Sequence, residues 1–166
     1  RDSNYEAVIY EDRRYSWDQV YKRTVKFASA LNKIGVKKGD TVSFLAFNTP
    51  EIFEGHYSVP MTGAVLNTIN IRLDAKTIAY ILDHSEAKVL VVDRQLHVEV
   101  KKALKTLNRK IIIIDINDKF ADQSKCEKIG ELEYESFLNT GDENYDWKMP
   151  DDEWQSISLS YTSGTT

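Results

Sequence analysis

The chain alternates between segments with helical and strand-like hydrophobic patterns. Apolar residues that recur every three or four positions predict helices, and short continuous apolar runs predict buried strands, such as residues 89–92 and 111–114. Strand and helix follow each other repeatedly, which predicts an α/β fold: a mostly parallel sheet with helices on both faces. A short β-hairpin is expected to precede it, with residues 7–10 and 14–15 flanking a polar turn.

Several residues mark where the predicted helices begin and end. Ser16 and Gln19 have the spacing of a capping box, and Gly35 is suited to end the helix that they start. Pro50 is suited to the first position of a second helix, and Asp74 to capping a third. Further helices are predicted over residues 96–107 and 134–138.

Length and composition limit the possible functions. The 166 residues suffice for one domain, and 22 basic against 26 acidic residues give a net charge of −4, which does not favour nucleic acid as a partner. No apolar run approaches the ~20 residues of a transmembrane segment. The single cysteine, Cys126, excludes an intrachain disulfide and is interpreted as an incidental loop thiol.

Other polar groups are interpreted as structural. The acidic residues between 142 and 153 predict a solvated surface loop, held to the body by Trp147 and Trp154, rather than a metal site with fixed ligand spacing. His56, His84 and His97 do not share metal-ligand spacing, and we expect all three to be ordinary helix or surface residues.

The last segment of the chain contains the residues that suggest a chemical function. Residues 156–161 alternate strictly, which predicts a strand, expected to be central in the sheet. This strand leads directly into Thr162, Ser163, Gly164, Thr165 and Thr166. Backbone amides in such a turn bind anions, hydroxyls add donors or a Mg²⁺ ligand, and glycine allows close approach to phosphate. An ordinary Ser/Thr-rich turn remains the alternative, whereas the Walker A pattern is absent.

Residues 161–166 resemble the start of the phosphate-binding signature of the adenylate-forming superfamily, the AMP-binding enzymes. Residues 15–20, 39–42 and 60–70 resemble three earlier family segments, in family order, so the resemblance covers essentially the whole chain. In the family, the signature continues with Gly-x-Pro-Lys-Gly. We therefore expect residues 1–166 to be a single incomplete domain, with the catalytic residues and the acyl pocket beyond Thr166.

Residues 63–73 and 150–154 are similar to the fatty-acyl-CoA synthetase branch. The resemblance implies a ligase that activates a fatty acid, of medium or long chain, with ATP and Mg²⁺ and transfers the acyl group to coenzyme A. It also implies that Thr162, Ser163, Gly164, Thr165 and Thr166 bind the ATP phosphates, with Thr162 contacting Mg²⁺. The chain alone is expected to be inactive; the intact protein is expected to be cytoplasmic and is a candidate homodimer.

Two alternatives stay open. The first is an adenylation domain of the same fold that loads a carrier protein instead of coenzyme A. The second is a non-catalytic nucleotide-binding module, because an α/β fold does not by itself determine function.

Overall fold

The computed structural model describes residues 3–162. In chain order, the elements are β1 (Glu6–Tyr10), β2 (Arg13–Ser16), α1 (Trp17–Lys33), β3 (Thr41–Leu45), α2 (Pro50–Met61), β4 (Val65–Thr68), α3 (Ala75–His84), β5 (Val89–Asp93), α4 (His97–Thr106), β6 (Ile112–Ile116), β7 (Leu132–Glu133), α5 (Tyr134–Leu138) and β8 (Ser158–Leu159). Single 3₁₀ turns cover Arg94–Leu96 and Gln123–Lys125.

Within residues 3–162, the main sheet has six strands in the order β7-β6-β5-β3-β4-β8, and all of these neighbouring pairs are parallel. Parallel neighbours require a crossover, and α2, α3 and α4 provide it between successive strands. Strands β1 and β2 form a separate antiparallel hairpin. The predicted α/β fold with its preceding hairpin is confirmed.

Helices cover both faces of this sheet, as predicted. Because alternate side chains of a strand point to opposite faces, Val42 and Phe44 of β3 lie in one core cluster and Leu45 lies in the other. The first cluster contains apolar residues of α1, α2 and α5, and the second contains those of α3 and α4. We refer to these as the first and second faces.

The predicted helix boundaries are largely confirmed. Ser16 and Gln19 form a complete capping box, and the Asp74 carboxylate accepts the Thr77 amide at 2.8 Å. Gly35 follows α1 with a φ of +87°, a left-handed conformation that favours glycine. The last predicted helix, over residues 134–138, has the predicted bounds.

A charged network joins three helices on the first face. The Arg23 guanidinium donates to Glu54 in α2 (Nε to Oε1, 2.5 Å) and to Glu135 in α5 (Nη1 to Oε2, 2.9 Å). The Tyr134 hydroxyl donates to the same Glu54 carboxylate at 2.9 Å. Glu54 is 1% exposed, so its charge has almost no access to water and needs these partners. The network therefore fixes how α1, α2 and α5 sit together.

Two expectations near the end of the chain are corrected: the length of the last strand and the packing of Trp154. The last strand is only Ser158–Leu159 and pairs with β4, while its central position in the intact protein stays a prediction. The regular ladder ends at Leu159, and Tyr161 packs against the second face. Trp154 is 92% exposed and is not held to the body, whereas Trp147 is partly buried and donates to the Tyr21 hydroxyl at 3.2 Å.

Candidate phosphate-binding site

The candidate site begins where β8 leaves the sheet. Ser158 and Leu159 pair in parallel with Leu66 and Asn67 of β4, and the Leu66 amide donates to the Ile157 carbonyl at 3.0 Å. The edge strand is thus aligned by backbone hydrogen bonds over a very short length. Three residues after Leu159, the chain reaches the first residue of the predicted phosphate-binding turn.

Of the five predicted phosphate-binding residues, the structure describes one. Thr162 is exposed and lies three residues after the end of β8. Ser163, Gly164, Thr165 and Thr166 lie outside the described residues. An exposed hydroxyl at the end of a strand is a suitable donor to a phosphate oxygen and a suitable oxygen ligand for Mg²⁺. The position of Thr162 is compatible with both predicted roles, which remain predictions.

Tyr161 connects this point to helix α3. Its ring packs with the second face, and its hydroxyl lies 2.8 Å from Nδ1 of His84 in the last turn of α3. Burial raises the pKa of the Tyr161 phenol, Tyr80 adds to the rise, and the Ser85 hydroxyl opposes it. The phenol therefore keeps its proton at neutral pH and can donate it to the imidazole. The sequence predicted His84 as a surface residue, which its exposure confirms, but the contact with Tyr161 was missed.

Asn67 lies directly beside β8 on the second face. It is fully buried, and its Nδ2 donates to the Ser43 hydroxyl of β3 at 3.0 Å. Its Oδ1 has no hydrogen-bond partner among residues 3–162. The polar pair of Ser43 and Asn67 thus joins β3 to β4 by a side-chain contact next to the strand that carries the candidate site.

Other buried carboxylates of the molecule accept hydrogen bonds from groups of the protein. Asp115 accepts from Arg94 Nε at 3.1 Å and from the Gly130 amide at 2.9 Å, and Asp118 accepts from the Tyr10 hydroxyl at 2.6 Å. Within residues 3–162, His, Cys, Asp and Glu side chains do not form a group of three that could hold a metal ion. These carboxylates are therefore structural.

Two larger cavities lie beside the hairpin. One of about 730 Å³ is lined by Arg13, Glu51 and Tyr134 among others, and one of about 630 Å³ is lined by Tyr10, Thr49 and Phe53 among others. Tyr161 and Thr162 line neither of them. The described part of the candidate phosphate site, Tyr161 and Thr162, therefore lies outside both cavities.

The chain matches the AMP-binding enzyme family over residues 1–166, and it belongs to that family. An acetate–CoA ligase of Humulus lupulus is 46% identical over 170 residues, which cover 96% of this chain and 30% of that protein. A peroxisomal acetate/butyrate–CoA ligase of Arabidopsis thaliana is 44% identical, with the same coverage, and a peroxisomal trans-cinnamate:CoA ligase of Petunia hybrida is 43% identical over 99% of the chain. The chain spans about 30% of the length of these relatives.

Solved structures agree on the fold. The anthranilate CoA ligase crystallised with anthranoyl-AMP gives a TM-score of 0.82 at 24% identity, covering 99% of this chain and 30% of that one. A long-chain-fatty-acid-CoA ligase of Archaeoglobus fulgidus gives 0.80 at 20% identity, covering 96% of this chain and 31% of that one. The predicted superfamily and its N-terminal domain fold are confirmed. No helix among residues 3–162 is both long and apolar enough to cross a bilayer.

Proposed function

We propose that the protein is an AMP-forming acid–CoA ligase and that residues 162–166 bind the phosphates of ATP. The observation that carries the proposal is the placement of an exposed Thr162 after an edge strand, in a chain of the AMP-binding enzyme family. Sequence identity of 43–46% to three CoA ligases supports the same reaction class.

The proposed reaction has two steps. An oxygen of the substrate carboxylate attacks the α-phosphorus of ATP, a new P–O bond forms, and the bond to the leaving pyrophosphate breaks. The thiol of coenzyme A then loses its proton and attacks the acyl carbon, which releases AMP and gives the thioester. The task of the protein in the first step is to position the phosphates and to compensate their charge.

This chain would contribute the amides and hydroxyls around the β- and γ-phosphates. Thr162, Ser163, Thr165 and Thr166 supply the hydroxyl donors, and Gly164 allows the backbone to come close to a phosphate oxygen. The Thr162 oxygen is the proposed Mg²⁺ contact; when bound, the ion neutralises phosphate charge.

The acid is proposed to be short or aromatic. The sequence resemblance favoured a medium- or long-chain fatty acid, but the relatives above 40% identity are named for acetate, butyrate and trans-cinnamate. The long-chain ligase is similar at only 20% identity, which supports the fold and not the substrate. Coenzyme A is the proposed acceptor of the acyl group because these relatives are CoA ligases. A carrier protein is the second candidate acceptor.

The experiment uses the protein expressed from the full reading frame that contains this sequence. Acid-dependent exchange between pyrophosphate and ATP is measured with acetate, butyrate, trans-cinnamate, octanoate and palmitate, followed by thioester formation with coenzyme A. Exchange without thioester formation would favour the carrier-protein alternative. Absence of exchange with every acid would overturn the proposal in favour of a non-catalytic nucleotide-binding module.

A matched pair of variants tests the phosphate site. Thr162→Ala should lower the exchange rate, on the order of 100-fold, because a donor to the leaving pyrophosphate is lost. Thr106→Ala is the control, since the Thr106 hydroxyl bonds the Ala103 carbonyl within α4, at 2.8 Å. Equal exchange rates for the two variants would show that Thr162 does not bind the phosphates. The chain of residues 1–166 alone is predicted to give no turnover, and a homodimer and a cytoplasmic location also remain predictions.

A further inference from the structure

Three aromatic rings meet at the point where the chain approaches Thr162. Tyr80 and His84, one turn apart on α3, stack with ring centroids 5.4 Å apart and an interplanar angle of 24°. Tyr161 meets His84 edge-on, at 5.8 Å and 80°, and the two side chains are also joined by the 2.8 Å hydrogen bond. We call these three residues the Tyr80–His84–Tyr161 cluster.

The cluster lies where regular structure ends. The ladder between β4 and β8 stops at Leu159, and Thr162 is exposed. Between these two points, Tyr161 is partly buried and packs against the second face. Side-chain contacts, more than the strand itself, thus determine where the backbone stands just before Thr162.

The hydrogen bond orients the Tyr161 ring as well as holding it. Hydrophobic contact alone is non-directional, whereas a hydrogen bond between the phenol and Nδ1 restricts the direction of the ring and therefore of its backbone. His84 belongs to a complete helix whose cap, Ser85, donates its amide to the Ile81 carbonyl at 2.9 Å, so the partner of the phenol is itself well held.

We propose that His84 is a positioning residue for the phosphate-binding turn: through Tyr161 it fixes the point from which Thr162 departs. This inference rests on the proposed function, because it assumes that the turn binds ATP. The role is specific to ATP, since His84 acts on the start of the turn and not on the carboxylic acid. Loosening the contact should weaken ATP binding and leave the KM for the acid unchanged.

The test measures the Kd of ATP with Mg²⁺ by calorimetry, and the KM values for ATP and acid, in the protein expressed from the full reading frame. His84→Ala and Tyr161→Phe should each weaken ATP binding about fivefold, which corresponds to one hydrogen bond. The double variant should be no weaker than either single variant, because both remove the same contact. His84→Asn should restore binding, since the amide oxygen of asparagine can accept from the phenol.

His56→Ala is the matched control. His56 is also an exposed helix histidine, but its Nδ1 contacts the Ile52 carbonyl of its own helix at 2.8 Å. Hydrogen exchange adds a readout that does not depend on ATP: His84→Ala, but not His56→Ala, should accelerate exchange of the amides at residues 160–162.

The outcomes separate the two proposals. Wild-type protein that fails to bind ATP overturns the proposed function, and with it any role of His84 toward phosphate. Wild-type binding with the same Kd in His84→Ala overturns only the positioning role. An effect of equal size on the KM of the acid, or on the thermal midpoint together with all kinetic constants, would show general destabilisation and would also overturn it.

Discussion

The centre and the edge of the sheet are built in different ways. All five residues of β5 are buried, and the strand pairs with β3 on one side and with β6 on the other. In contrast, β8 has two residues and, within residues 3–162, pairs with β4 alone. The centre is held by apolar burial on two faces, whereas the edge depends on a few specific contacts. The comparison teaches that the described residues before the candidate site are attached to the body by a short backbone ladder with β4 and by the contact between Tyr161 and His84.

The largest expected difference between the centre and the edge is the stability lost when an apolar side chain is shortened. Phe44 of β3 is fully buried beside Phe27 and Gly55, so Phe44→Ala should lower the free energy of unfolding by about 3–5 kcal/mol. Ile157, beside β8, is 46% exposed, and Ile157→Ala should cost about 0.5 kcal/mol. Urea unfolding of the protein from the full reading frame measures both. Equal losses would break the contrast between centre and edge.

Ion pairs should show the same contrast between centre and edge, with smaller losses of stability. Glu54→Gln removes the buried one of the two carboxylates that pair with Arg23, and about 3 kcal/mol of stability should be lost. The pair of Lys38 and Asp151 near the edge is 3.3 Å long with side chains 62% and 90% exposed, so water screens it.

Asp151→Asn is therefore the control for Glu54→Gln, and it should leave the urea midpoint where it is. A shift as large as that of Glu54→Gln would mean that the edge segment is held as firmly as the core.

The smallest effect concerns pH. Burial opposes ionisation of Asp40, but the Lys88 ammonium at 2.9 Å and the Lys37 amide outweigh it and lower the pKa of Asp40. The unfolded chain takes up this proton at an ordinary carboxyl pKa and the folded chain only at lower pH. The contact therefore stabilises the fold above the ordinary pKa and is lost as pH falls through the lowered one.

Asp40→Asn should accordingly be less stable than wild type at pH 7, with a difference that shrinks as the pH falls below about 4. Thermal midpoints across this range measure it. Asp40 and Lys88 are both partly exposed, so the difference should be smaller than for Glu54→Gln. A difference that grows with acidity would contradict the assignment of the lowered pKa.

The sequence predicted most of the fold because its signals are local. The capping box of Ser16 and Gln19, the glycine at position 35 and the helical spacing of apolar residues each lie within a few positions of one another. Strand β7 was missed because two residues carry no detectable period, and its pairing with β6 depends on the tertiary structure. The acidic segment was correctly predicted as surface, but the exposure of Trp154 shows that an aromatic residue need not be anchored.

The candidate site was predicted only in part, for a physical reason. The hydroxyl-rich turn after Tyr161 is a local pattern and could be recognised. The contact between Tyr161 and His84 joins residues far apart along the chain, and neither residue carries a pattern that indicates the other. The pairing of β8 with β4 likewise depends on the tertiary structure, and an alternating sequence does not contain that information.

The pairing of β4 with β8 also has a consequence for how the chain is made. Strands β3, β4, β5 and β6 all precede β8, so these four strands can pair before residues 158–159 leave the ribosome. Among the strands of residues 3–162, β8 closes the longest loop when it docks on β4 and is expected to dock after the others. Every newly synthesised molecule therefore passes through a stage in which β4, including Asn67, is not yet paired with β8. An unpaired strand edge can pair with another chain, so misassembly is favoured at this stage.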